Sequence, residues 1–125
     1  LKQSAGTSGI VKITDFVAGT DKLSFSSWNT GSAAQDIGTG ITLATAQTIA
    51  TAADLSAVYG GITAISASTA GGALNGVVVT VSAGAAAGTY LYINDATAGV
   101  SSSNDMLINI TGITGTLTAN DFVWA

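Results

Sequence analysis

Val77-Val78-Val79-Thr80-Val81-Ser82, then the small residues Ala83 to Gly88, then Thr89-Tyr90-Leu91-Tyr92-Ile93 is the stretch that sets the fold class. Val77 to Ser82 is a β-branched apolar run of strand length and reads as a buried strand. Tyr90 to Ile93 reads as a second strand, with Ala83–Gly88 as the linker. Downstream, Met106 to Ile110 is a third strand, which pairs with Tyr90–Ile93 as a hairpin across the loop Ala96–Asn104. Gly112 to Gly115 turns the chain, and Leu117 to Trp124 ends it. Upstream, Gly71-Gly72 is a turn and Ile62 to Ser68 is a strand. Between Ile41 and Tyr59 the period changes. Ala46, Ile49, Ala50, Ala53, Leu55, Ala57 and Val58 fit one face of a helix, with Thr51 and Asp54 as caps and Gly60-Gly61 as the stop. Its thin alanine stripe suits close packing on a sheet. Residues 29–40 form a loop, Lys22 to Ser26 a half-buried strand, Asp15 to Asp21 a turn, Ile10 to Ile13 a short strand, and residues 1–9 an extended lead-in. The expected fold is a mainly β single domain over 1–125, a β-sandwich or flattened β-roll. One Ala-rich helix, a helical insertion at 41–60, packs on it, and a strand pair and tail occupy 89–125.

Composition narrows the function. The chain has 125 residues, enough for one domain with a core. Cys, Pro, His, Arg and Glu are absent; all 7 acids are Asp, and the bases are Lys2, Lys12 and Lys22. Charged residues make up 8% of the chain, against about 25% in ordinary soluble domains. Without Cys there is neither a disulfide nor a thiolate metal site. A net charge of −4 argues against a phosphate-neutralising surface, so no nucleic-acid partner is expected. Mean hydropathy is +0.52, yet no apolar run approaches the roughly 20 residues of a membrane span, so no membrane insertion is expected. So neutral a surface has little repulsion to keep copies apart. Self-association into a homo-oligomer or polymer is the expected partnership. The chain begins at Leu1 rather than Met, so a processed precursor or a piece of a larger protein is expected.

Few residues offer chemistry. Without His and Cys the usual triads and zinc sites are out of reach. A Ser–Lys dyad lacks an elbow motif, and nothing around the aspartates marks a glycosidase pair. No catalytic residue is assigned. Hard-cation binding is the better use of these acids, since Ca²⁺ takes carboxylate, amide and carbonyl oxygens presented by glycine-containing turns. Two places qualify. Asp15 and Asp21 flank Gly19, and Asn94-Asp95 meets Asn104-Asp105 at one end of the expected hairpin. The competing reading is that Asp and Asn simply favour turns; Asp36, Asp54 and Asp121 are assigned to turns and caps. Tyr90 and Tyr92 share one strand face and, with Trp28 and Trp124, are the candidates for a carbohydrate platform. Core filling is the favoured alternative for these two tyrosines.

Two stretches carry a family likeness. Residues 13–26 (ITDFVAGTDKLSFS) resemble the I-x-D-F-x-x-G-x-D-K segment that follows the calcium-binding glycine-rich repeats of RTX-related, type I-secreted bacterial proteins. Residues 89–125 (TYLYINDATAGVSSSNDMLINITGITGTLTANDFVWA) resemble the C-terminal segments of type I-secreted surface proteins, as does an Ala-rich helix before Tyr59-Gly60-Gly61. The G-G-x-G-x-D repeats are not in this chain, so only Asp15 and Asp21 carry over from the flanking motif. The resemblance implies export by an uncleaved C-terminal signal and folding outside the cell in the presence of calcium. It transfers no catalytic activity.

Together these readings predict a non-enzymatic, calcium-stabilised structural subunit of an extracellular or cell-surface assembly: a filament, sheet or surface layer. The extended residues 1–13 are expected to complete a neighbour's sheet. The alternatives are a C-terminal export or capping domain of a larger type I-secreted adhesin or exoenzyme, and a carbohydrate-binding module.

Overall fold

The densest apolar run becomes the longest strand. A computed structural model describes residues 10–25, 40–63, 65–69 and 72–124. Its strands are β1 (Leu23–Phe25), β2 (Gly40–Leu43), β3 (Gln47–Thr51), β4 (Ala73–Ala83), β5 (Gly88–Asn94), β6 (Met106–Asn109) and β7 (Phe122–Trp124). A helix, α1 (Leu55–Gly61), lies between β3 and β4, and a 3-10 turn (Ala119–Asp121) precedes β7. The chain is mainly β with one helix, as the sequence predicts.

β4 organises the sheet. β5 runs antiparallel to it, placing Val77 opposite Tyr92 and Val79 opposite Tyr90. β6 continues antiparallel to β5, with Leu91 opposite Ile108. On the other side of β4, β2 pairs parallel with its first half and β3 parallel with its second half. Both faces of the sheet are covered, which is why β4 and β5 read as near-continuous apolar runs. Val77, Val79, Val81, Tyr90, Tyr92 and Leu107 join one buried cluster with Val58 and Ile62 from α1 and its exit. Leu74, Leu91, Ile93, Met106 and Ile108 join the other, with Phe16, Phe25, Leu117 and Phe122. That second cover is the two-stranded parallel sheet β1–β7, in which Phe25 stacks on Phe122 at 5.9 Å. The result is a lopsided sandwich: a two-stranded sheet on one face and a helix on the other.

Residues 41–60 depart from the expected helix. Gly40–Leu43 and Gln47–Thr51 are strands, and the helix spans only Leu55–Gly61. Asp54 caps it, accepting from the Ala57 N–H at 2.8 Å. Nor is it Ala-rich, and the alanine stripe is not its packing face. Ala46, Ala50, Ala53 and Ala57 are exposed, whereas Val58 is the buried residue of the helix. The reason is β4. An 11-residue strand presents backbone groups on both sides, and its side away from β5 is satisfied by chain that a local periodicity count assigns to a helix. The 83–86 turn then grips β3's exit. Ala52 N–H donates to the Ala83 carbonyl at 3.0 Å and Ala86 N–H to the Ala52 carbonyl at 3.1 Å. Gly84 (φ +97°) permits this approach, since a Cβ there would sit 2.2 Å from the Ala52 oxygen.

Two expected strands are not formed. Ile62–Ser68 has no ladder among its described residues. It is held by a backbone bond, Ser68 N–H to the Asp95 carbonyl at 2.7 Å, and by side chains: Asn75 Nδ2 donates to the Ala67 carbonyl at 2.7 Å and Ser68 Oγ accepts from Asn75 N–H at 2.8 Å. Ile10–Ile13 makes one parallel bridge, Lys12 with Asn109. Of the residues 1–13 expected to complete a neighbour's sheet, Val11 to Ile13 pair instead with β6 of their own chain. The loop at 29–39, Trp28 and residues 1–9 lie outside the described residues.

Candidate functional site

The predicted site residues fall at two corners of the sandwich. The first is built by the turn Asp15–Asp21. Thr20 and Asp21 N–H groups donate to the Val17 carbonyl at 3.0 and 2.9 Å, and Val17 N–H donates back to Asp21 Oδ2 at 2.8 Å. The turn closes on itself through backbone bonds, with both Asp15 and Asp21 exposed. Gly19 is at φ +84°, which its lack of a Cβ allows. Its N–H donates to Asp121 Oδ1 at 2.7 Å across 102 residues of sequence. Asp121 Oδ2 accepts from Thr118 N–H at 2.8 Å and Thr118 Oγ1 at 3.1 Å. Lys22 Nζ reaches the Asn120 carbonyl at 2.7 Å. The organising acid is thus Asp121, which is 1% exposed and which the sequence assigned only to a cap. The backbone N–H groups of Thr118 and Gly19, with Lys22 nearby, hold its carboxyl below the usual carboxylate range.

The second corner is the β5–β6 loop. Asp95 and Asp105 come together there, 1% and 4% exposed. Asp105 Oδ1 accepts from Asp95 N–H at 2.9 Å. Its Oδ2 accepts from the Tyr92 hydroxyl and from Ser101 N–H. Asp95 Oδ1 accepts from Thr97 N–H at 2.6 Å, and Asp95 Oδ2 is buried without a hydrogen-bond partner. Burial pushes the Asp105 carboxyl up, its three hydrogen bonds pull it partly back, and the Asp95 charge adds to the rise. Burial and the Asp105 carboxylate also push the Tyr92 hydroxyl up, while Tyr59 rises to about 12 through burial and Asp105.

Of the four residues predicted for this corner, two converge. Asn104 is exposed. Asn94 is buried, but its Nδ2 donates to the Ser66 carbonyl at 3.1 Å, while its Oδ1 is buried and unpartnered. Successive strand residues face opposite ways, which separates Asn94 from Asp95. Among the described residues no cluster of three or more acids gathers at one point. What this corner can offer a hard cation is therefore two buried carboxylates, one with an unpartnered oxygen, and nearby loop carbonyls.

The tyrosines are not a platform. Tyr90 and Tyr92 are 3% and 0% exposed. The Tyr90 hydroxyl donates to the Ala86 carbonyl at 2.8 Å, and the Tyr92 ring meets Tyr59 edge-on at 6.2 Å. Both are core residues with satisfied polar ends. A cavity of about 420 Å³ opens instead beside Leu43, Val78, Thr89, Ile110, Ile113 and Leu117, and none of the residues lining it is titratable. Among the described residues no helix is long and apolar enough to cross a membrane. Comparison of the chain with protein-family models, with curated proteins and with solved structures gives no match.

Proposed function

We propose that this chain is a non-enzymatic structural subunit of an extracellular or cell-surface assembly, a filament, sheet or surface layer built from copies of itself. The observation that carries the proposal is the use of its acids. Asp21, Asp54, Asp105 and Asp121 each accept backbone N–H groups of turns and caps, so the carboxylates fasten corners. With Asp95, Asp105 and Asp121 buried and only 8% of the chain charged, the outside carries few charges, and a weakly charged exterior lets copies approach.

Calcium belongs to this proposal at the Asp95–Asp105 corner. Two buried carboxylates side by side disfavour one another, and a divalent cation on Asp95 Oδ2 would relieve that repulsion and satisfy the unpartnered oxygen. Asp15 and Asp21 are the weaker pair, being exposed and closed by backbone bonds. Negative-stain microscopy of the purified chain in millimolar calcium, repeated with excess chelator, tests both parts. Ordered assemblies that dissolve on chelation support the whole reading. Assemblies indifferent to chelation keep the structural role and remove calcium. A monodisperse particle of one chain in both conditions overturns the subunit reading.

A second reading is favoured by one specific observation. The two stretches that resemble type I-secreted proteins fold against each other: β1 pairs with β7 and Val17 bridges to Thr114. This supports a C-terminal export or capping domain of a larger secreted protein. Fusing the chain behind a passenger and assaying its export by a type I secretion system tests it; retention of the passenger in the cell would count against it.

A further inference from the structure

The two lateral edges of the main sheet are treated differently. On the β6 side, Ile13 N–H donates to the Asn109 carbonyl and Asn109 N–H to the Val11 carbonyl, both at 2.9 Å. That edge is covered by the chain itself. On the other side β3 bonds to β4 through Gln47–Val79, Thr48–Thr80, Ile49–Val81 and Thr51–Ala83. Among the described residues no backbone pairs with β3's outer side. Through its side chain, on the face it shares with Ile49, Gln47 is tied to the segment after α1: its amide bonds to the Thr63 backbone carbonyl and, at 2.9 Å, accepts from Thr63 N–H.

Open edges in soluble proteins are normally defended by charges or proline. This one has neither. No charged residue lies between Asp36 and Asp54, and the chain has no proline. Thr48 and Ala50 are exposed on one face of β3, and half-buried Ile49 continues the apolar cluster on the other.

We infer that the outer edge of β3 is a self-association edge, pairing antiparallel with β3 of a second copy about a two-fold axis at Ile49. The inference rests on the structural-subunit reading and names its first contact. A second copy fits for three reasons. A two-fold pairing sets Gln47 against Thr51, Thr48 against Ala50 and Ile49 against Ile49, so each face meets its own kind. The apolar cluster then runs on from one copy into the next through the paired isoleucines. Finally, the nearest charge on the C-terminal side, Asp54, lies at opposite ends of the pair in the two copies. At about 3.3 Å per residue the two Thr51 residues that end the paired strands are roughly 13 Å apart, already beyond the screening length of about 8 Å at physiological salt, and Asp54 follows each of them in sequence. An acidic chain can therefore meet itself here without repulsion.

Two variants test the edge, both at exposed positions. Thr48→Lys with Ala50→Lys places like charges across the pair, and light scattering should show the dimer weakened by roughly 100-fold, with the thermal midpoint of the subunit unchanged. The chain has no native cysteine, so Thr48→Cys with Ala50→Cys gives a clean second readout. Mild oxidation should yield a covalent dimer, whereas Thr42→Cys on β2 should not. If the lysine variant misfolds, the cysteine pair decides the matter alone. Wild-type assemblies that survive the lysine pair, or a cysteine pair that gives no more dimer than Thr42→Cys, overturn the β3 edge and leave the subunit reading standing. A wild-type chain that is monomeric at all concentrations overturns both.

Discussion

Asp121 and Asp105 are both buried aspartates in the same small protein, and their surroundings drive them in opposite directions. Asp121 meets converging backbone donors from Gly19 and Thr118, and its carboxyl is held down. Asp105 also accepts backbone bonds, but it is desolvated beside a second acid, and its carboxyl is pushed up. The difference lies first in desolvation, which outweighs the hydrogen bonds at Asp105 but not at Asp121. Donors and a lysine stabilise the carboxylate at one corner, whereas at the other desolvation and a neighbouring acid outweigh the donors, the Tyr92 phenol among them. One corner is a finished lock. The other keeps one carboxylate oxygen, Asp95 Oδ2, buried without a hydrogen-bond partner.

The largest effect should come from removing the lock. Asp121→Ala leaves the Gly19 and Thr118 N–H groups without their acceptor, so urea denaturation should show a loss of about 3 kcal/mol. A loss well under 1 kcal/mol would mean that β1 and β7 hold the turn without it. At the other corner, Tyr92→Phe removes one donor to Asp105 and should cost about 1.5 kcal/mol by the same measurement.

The pH profile separates the two acids by sign. The folded-state pKa of Asp121 lies below its unfolded value of about 3.9. Its contribution is therefore present above that pH and is lost as pH falls through the folded value. Asp105 is the reverse. Its folded pKa lies above the unfolded one, so the stability linked to its protonated form is full below about pH 3.9 and is lost as pH rises through the folded value. Asp105→Asn should remove the falling part of the curve above that pH, and Asp121→Asn the acid-side rise. Parallel profiles for the two variants would erase the contrast. The smallest effect is expected at Asp21. It is exposed and bonds to Val17 N–H in a turn that backbone bonds already close. Asp21→Ala should cost about 0.5–1 kcal/mol in thermal or urea unfolding.

Much of the candidate site was legible one residue at a time and little of it pairwise. Asp54 as a cap follows from its place before an apolar helical face. Asp95 meeting Asp105 follows from the β5–β6 hairpin, whose two runs are short and close in sequence. Asn94 and Asn104 do not follow their neighbours, because strand alternation turns Asn94 away and Asn104 stays on the loop surface. The bond from Gly19 to Asp121 had no local signal. Gly19 reads as a turn glycine whether its N–H meets solvent, a cation or an acid from the far end of the chain.

What the sequence alone determined is the part governed by local physics. Short, near-continuous apolar runs from Val77 to Ile110 specify the antiparallel β4–β5–β6 core, because strand-length runs apolar on both faces form buried strands. The residue inventory likewise withholds the histidines and cysteines of the usual catalytic and zinc sites. Tertiary structure decided the rest. Gly40–Leu43 and Gln47–Thr51 became strands because the far side of β4 needed backbone partners, a demand stronger than the weak helical period of small alanines. The tyrosines turned inward because α1 and its exit covered their face. Asp121 became the centre of a corner because the parallel pairing of β1 with β7 carried it to Gly19. Hydrogen-bond demand and burial act across the whole chain, and a local window of sequence carries no record of which distant segment will meet them.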